Sequence, residues 1–132
     1  MTRRELREQI FKMLFGTLFH EEGELSEQMK LYQQAEAVWD VKDGQYITEK
    51  CSRVAEKIPE IDVMVNEVAE GWKTTRMGKV DLTLIRLAVY EMKYEDDMPV
   101  GVAINEAVEL AKRYGTEDSP AFINGILAKL AS

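Results

Sequence analysis

Residues 80–92 read VDLTLIRLAVYEM, and this stretch decides the fold. Its apolar residues recur at the three- and four-residue steps of one face of an α-helix, whereas a half-buried strand would alternate. They are Val80, Leu84, Leu87, Ala88 and Met92. A face this apolar must be covered, so we predict a buried helix packed among other helices, with Leu84, Leu87 and Ala88 in the core together with Ile104.

The same spacing continues on both sides of this stretch. It predicts about seven helices, an all-α fold and a single domain over residues 1–132. The expected apolar faces of the first four helices are Leu6, Ile10, Met13, Leu14 and Thr17; Leu25, Met29, Tyr32, Ala35 and Val38; Ile47, Cys51, Val54, Ala55 and Ile58; and Ile61, Met64, Val65, Val68 and Trp72.

Prolines and a glycine mark the expected helix ends. Pro59 should end the third helix and open the fourth, because it has no backbone donor and fits a first turn. Gly115 is expected as a left-handed stop for the sixth helix, which contains residues 102–111. Ser119 and Pro120 then suit the N-cap and first turn of a last helix.

The chain is acidic, with a net charge of −7 over 132 residues. An evenly acidic surface repels nucleic acid, so any RNA site must be a local basic patch. No run approaches the ~18 apolar residues of a membrane span, and charged residues interrupt the N-terminus where a signal peptide would be apolar. We expect a soluble, cytoplasmic protein that does not contact membranes.

Candidates for catalysis are few. The single cysteine, Cys51, and single histidine, His20, exclude an intrachain disulfide and a zinc site of several Cys or His ligands, and Cys51 is expected as a small buried hydrophobe. There is no phosphate-binding glycine loop, and no carboxylate pair has a spacing that favours acid–base chemistry. We predict no enzyme, no cofactor and no metal.

The start of the first helix is the most informative local feature. Arg3, Arg4 and Arg7 share one sector, and Phe11 and Phe15 follow at four-residue steps. Guanidinium groups hold phosphates and aromatic rings stack on unpaired bases, as in a single-strand RNA edge. The alternative is that neighbouring glutamates pair with the arginines and that both rings belong to the core.

A second candidate surface lies at the end of the sixth helix. Lys112 and Arg113 precede Tyr114, and the last helix adds Phe122 and Asn124. Two cations beside an aromatic ring suit RNA. Basic residues in a final turn are equally what the helix dipole favours, so the structural explanation stays open.

Three successive segments resemble the NusB family of transcription antitermination proteins. They are residues 81–92 (DLTLIRLAVYEM), 99–112 (PVGVAINEAVELAK) and 114–127 (YGTEDSPAFINGIL). The arginine-rich first helix stands where that family has its basic RNA-binding motif, so the resemblance covers the whole chain. Between about residues 24 and 79 it rests on the helical pattern alone.

The resemblance implies a helical fold of two packed subdomains without enzymatic activity. It also implies recognition of boxA single-stranded RNA together with NusE, a small-subunit ribosomal protein, within an RNA polymerase antitermination complex that serves ribosomal RNA synthesis.

The family's functional positions fall on eight residues. The RNA-binding candidates implied by the resemblance are Arg3, Arg4, Arg7, Tyr114, Asp118 and Phe122, and the partner-binding candidates are Phe15 and Asp81. An acidic group at the partner interface suits a basic ribosomal protein. A helical scaffold that binds only proteins is the alternative function, and the choice between monomer and dimer is left open.

Overall fold

The computed structural model describes residues 1–17 and 39–131. These residues form five α-helices and one 3₁₀ turn and contain no strand, which confirms the predicted all-α class. The elements are α1 (Arg3–Thr17), α2 (Val41–Val68), η1 (Thr74–Arg76), α3 (Lys79–Tyr94), α4 (Val100–Tyr114) and α5 (Ser119–Ala131). The second predicted helix, with Leu25, Met29, Tyr32, Ala35 and Val38, lies outside the described residues, as does His20.

The chain divides into two compact units, Met1–Ala55 and Glu56–Ser132. Helix α2 contributes to both, because it runs from Val41 to Val68. Each unit is described by itself below. The prediction of a single domain over residues 1–132 stays a prediction.

In the first unit the apolar face of α1 is buried, as its spacing predicted. Ile10, Met13 and Leu14 of α1 are nearly inaccessible to solvent. The Cys51 thiol of α2 approaches the Ile10 carbonyl oxygen, with an Sγ–O distance of 3.7 Å, so these two helices meet along their apolar faces. Cys51 is fully buried, which confirms the prediction of a small buried hydrophobe.

The second unit is built around the stretch that decides the fold. Leu84, Leu87 and Ala88 of α3 are buried, as predicted, and α3, α4 and α5 each pack against the other two. Helix α4 presents small residues to this core, which include Ala103 and Ala107. Small side chains allow helices to approach closely, so α3, α4 and α5 form a compact three-helix core within this unit. Ile104, predicted as core, is half-buried.

The prediction that Pro59 separates two helices is wrong. Helix α2 runs for 28 residues with Pro59 inside it. The proline removes one backbone donor at a cost of about 3 kcal/mol, but the apolar spacing does not change phase there. The residues that share this stripe are Ile47, Cys51, Val54, Ile61 and Val65, all buried. Continuous burial on one face offsets the local cost and keeps the helix intact.

The prediction of a left-handed Gly115 is also wrong. Its backbone is extended, with φ −92° and ψ −168°, and its N–H donates to the Ala111 carbonyl oxygen. Position 115 favours glycine because there is no room for a side chain. A Cβ there would lie 2.5 Å from Ser119 Oγ and 2.9 Å from the Ala111 carbonyl oxygen. Ser119 is the first residue of α5, and its Oγ accepts the Thr116 N–H at 2.9 Å.

Candidate functional site

Arg3 and Arg4 lie exposed in the first turn of α1. A reciprocal pair of hydrogen bonds fixes this helix start: the Thr2 N–H donates to Glu5 Oε1 at 3.0 Å, and the Glu5 N–H donates to Thr2 Oγ1 at 3.1 Å. The backbone and side-chain hydrogen bonds to Thr2 lower the pKa of Glu5. This capping box is visible in the sequence as Thr-x-x-Glu, a signal that the sequence analysis missed.

The dipole of α1 does not favour the two exposed arginines at its start. The N-terminal end of a helix carries partial positive charge, so cations there are unfavourable by a few tenths of a kcal/mol or more. Glu5 is the residue that suits this position electrostatically. The helix dipole therefore does not explain Arg3 and Arg4, whereas an anionic ligand would interact favourably with both.

Arg7 differs from the other two arginines in its surroundings. Arg7 is only 7% exposed, although helical spacing alone would group it with Arg3. Spacing fixes the sector of a side chain but not what packs over that sector. Its contact with RNA stays a prediction, and burial adds a structural role.

The two aromatic residues of α1 also differ in burial. Phe11 is 3% exposed and belongs to the core, whereas Phe15 is half-buried. Their ring centroids lie 6.0 Å apart at an interplanar angle of 46°. The core alternative therefore holds for Phe11. Phe15 keeps an accessible portion that a protein partner could cover.

In the second unit the α4–α5 connection positions three candidates. Tyr114 ends α4, half-buried, and the Arg113 guanidinium lies 5.4 Å from its ring centroid. Asp118 is exposed, and its carbonyl oxygen accepts the Phe122 N–H at 3.1 Å. Asp118 thus directly precedes α5, and Phe122 lies in the first turn of that helix. Lys112 pairs with Glu109 at 3.3 Å on the same helix, as an ordinary surface ion pair.

Phe122 lines a cavity of about 260 Å³ that the sequence analysis did not anticipate. Its lining consists of Ala69, Glu70, Trp72, Ala121, Phe122, Gly125, Ile126 and Lys129. Asn124, proposed with Phe122 from sequence, is exposed on the same helix and is not part of this lining.

The prediction that Trp72 belongs to an apolar helix face is wrong. Helix α2 ends at Val68, and Trp72 is 57% exposed. Gly71, with φ 77°, turns the chain in the left-handed region just before it. Periodicity alone misled here, because Trp72 keeps helical spacing from Val68. The glycine was the signal that the helix had ended.

Asp81 lies half-buried in the first turn of α3. A carboxylate there interacts favourably with the helix dipole. Asp81 therefore stabilises its own helix, and its exposed part remains available to a basic partner.

The candidates divide between the units. Arg3, Arg4, Arg7 and Phe15 belong to the first unit, and Asp81, Tyr114, Asp118 and Phe122 belong to the second. Within residues 1–17 and 39–131, no group of His, Cys, Asp and Glu side chains could hold a metal ion. Burial raises the pKa of the Cys51 thiol to about 12, so it is a poor nucleophile at neutral pH. No helix in the described part of the chain is long and apolar enough to cross a membrane.

These features define a class, a small all-α binding protein with a basic helix start and an aromatic surface. The model of the NusB family matches residues 4–132. A transcription antitermination protein NusB of Agathobacter rectalis is 55% identical over 131 residues, which cover 99% of this chain and all of that protein. The chain belongs to the NusB family, whose members are transcription antitermination factors and not enzymes.

Solved structures agree with this assignment. A structure of T. maritima NusB has a TM-score of 0.89 and 35% identity and covers 99% of this chain and 91% of that one. A structure of the antitermination factors NusB and NusE in complex with dsRNA has a TM-score of 0.84 over 98% of this chain and 95% of that one. At 23% identity, the second likeness shows the fold alone.

Proposed function

We propose that this chain binds single-stranded boxA RNA together with the ribosomal protein NusE. In that role residues 1–132 act as one RNA-binding domain of a cytoplasmic antitermination complex with RNA polymerase during ribosomal RNA synthesis. The observation that carries the proposal is the pair of exposed arginines, Arg3 and Arg4, at a helix end that disfavours cations. The NusB–NusE–dsRNA complex of a structural neighbour supports the choice of partners.

The remaining candidates fit this proposal in two groups. Tyr114, Asp118 and Phe122 lie at one helix connection, where aromatic rings can stack on unpaired bases. Phe15 and Asp81 supply an apolar and an acidic contact for the ribosomal protein. The chain carries a net charge of −7, so its acidic surface can bind a basic protein partner. The basic edge formed by the arginines is then left for the RNA.

Fluorescence anisotropy of a labelled boxA RNA and a scrambled RNA, with and without NusE across a salt series, tests the proposal. We expect sequence-selective binding that NusE tightens and salt weakens. The double variant Arg3→Gln/Arg4→Gln should make the slope of log affinity against log salt shallower by about 1.4, because each lost phosphate contact on a single strand contributes about 0.7.

Arg53→Gln controls for the loss of a single exposed arginine, since Arg53 lies in α2 outside the proposed site. It should leave the slope unchanged. Equal, negligible binding of both RNAs under all conditions would instead favour the protein-binding scaffold.

A further inference from the structure

We propose that Trp72 and Phe122 together bind one unpaired nucleobase of the RNA, in the cavity that both residues line. This inference rests on the proposed function and adds to it a residue outside the positions that the family resemblance identified. Trp72 is 57% exposed, more than any other large aromatic side chain in the described part of the chain. The indole lines the same cavity as Phe122 and Ile126, and grouped apolar surface of this kind marks binding sites more often than a single exposed side chain does.

The loop that carries Trp72 is anchored on both sides. Before it, the Ala69 N–H donates to the Val65 carbonyl oxygen at 2.9 Å. After it, the Lys73 ammonium donates to the Asn66 carbonyl oxygen at 2.8 Å, and the Thr74 N–H donates to Asn66 Oδ1 at 2.8 Å. The loop is therefore ordered before a ligand arrives, which lowers the entropy lost on binding.

The cavity has the size and walls that a flat aromatic ring requires. Its volume of about 260 Å³ lies below the ~300–1,000 Å³ of pockets for drug-sized ligands, so it suits a single ring system. Phe122 and Ile126 of α5 and the methyl group of Ala69 supply apolar surface beside the indole. Every nucleobase has a π face, so aromatic walls of this kind bind bases with little dependence on sequence.

The charged groups of the lining favour a nucleotide over an apolar protein side chain. Lys129 lies at this cavity, with Nζ 3.3 Å from the Val68 carbonyl oxygen, and its ammonium can attract the phosphate attached to the bound base. Glu70 repels a phosphate, but its carboxylate can accept an N–H of a base edge. The base edge is therefore expected toward Glu70 and the phosphate toward Lys129.

Trp72 fluorescence provides a direct test in the full-length chain. The chain has two tryptophans, so Trp39→Phe leaves Trp72 as the only indole. Titration with boxA RNA should quench the Trp72 emission, with the same midpoint as the anisotropy curve. Phe122→Ala should weaken both signals, and circular dichroism checks that the variants keep their helicity.

Affinity measurements complete the test. Trp72→Ala should weaken RNA binding about 5- to 150-fold, the range for one stacked base, and Trp72→Phe should restore part of the loss. Tyr94→Ala is the control, because Tyr94 is also an exposed aromatic residue of the second unit but does not line the cavity.

The outcomes separate this inference from the proposed function. If the wild-type protein binds boxA RNA but Trp72→Ala binds equally well and Trp72 emission does not change, the base site is refuted while RNA binding stands. If the wild-type protein binds no RNA, both proposals fall. A loss of affinity shared by Tyr94→Ala would also refute the site, since it would not be specific to the cavity.

Discussion

The close packing of the connection between α4 and α5 depends on the absence of a side chain at Gly115. Because a Cβ at this position would lie 2.5 Å from the buried Ser119 hydroxyl, we expect Gly115→Ala to destabilise the protein by about 1–3 kcal/mol. Gly101→Ala is the control: nothing lies within 4 Å of its Cβ position, and alanine in helix α4 should stabilise by about 0.5–1 kcal/mol. Urea denaturation measures both, and shifts of the same sign would contradict the packing argument.

Cys51 should behave as a buried thiol. It is inaccessible to solvent and burial raises its pKa to about 12, so the thiolate is scarce at pH 8. We expect a disulfide reagent to modify the native protein only through molecules that open and expose the thiol, so the reaction is far slower than with the unfolded chain. Prompt stoichiometric modification without denaturant would contradict this prediction, and rapid modification in urea is the control.

At the scale of the element, the capping box of α1 predicts that the stability of the fold decreases at acidic pH. The folded-state pKa of Glu5 is lowered from 4.5 by its hydrogen bonds to Thr2, so its stabilisation is present above that value and is lost as pH falls through the folded pKa. We expect Glu5→Gln to flatten the acid side of a stability–pH profile. Glu49→Gln, which removes an exposed carboxylate of α2 outside the box, should flatten it less. Equal effects would argue against the capping box.

The sequence was sufficient to predict those helices whose own apolar residues determine that they are buried. The apolar spacing of residues 80–92 predicted α3 and its core, since a face that apolar is buried whatever covers it. Pro59 and Trp72 were mispredicted for opposite reasons: burial along α2 overrode a local helix breaker, and helical spacing hid the turn at Gly71. Arg7 was grouped with exposed arginines because spacing along one helix does not reveal what packs against it.

The candidate site depended on a different kind of information. Arg3 and Arg4 stood out from sequence alone, since clustered arginines are conspicuous in an acidic chain. Asp118 and Asp81 came only from the family resemblance, because a single carboxylate among 24 acidic residues has no distinguishing pattern. The cavity at Trp72 could not be predicted, since it forms where residues distant in sequence, from positions 69 to 129, meet.

At the scale of the whole molecule, the net charge of −7 and the proposed basic partner make a prediction about Asp81. We expect Asp81→Lys to weaken binding of NusE in calorimetry by about tenfold or more, because it reverses a charge at the interface. Asp96→Lys makes the same change in net charge, from −7 to −5, at an exposed position between α3 and α4. An equal loss in both variants would mean that only overall charge matters. Thermal unfolding checks the loss of a favourable charge at the start of α3.

Pro59 has a consequence for how the native protein opens. A proline at this position leaves the Ala55 carbonyl oxygen without its helical N–H donor, and Ala55 is the last residue of the first compact unit. The backbone ladder of α2 is thus weakest where residues 1–55 give way to residues 56–132. Amide protons on the two sides of this point are therefore expected to exchange with solvent deuterium as two cooperative groups, each with its own free energy of opening.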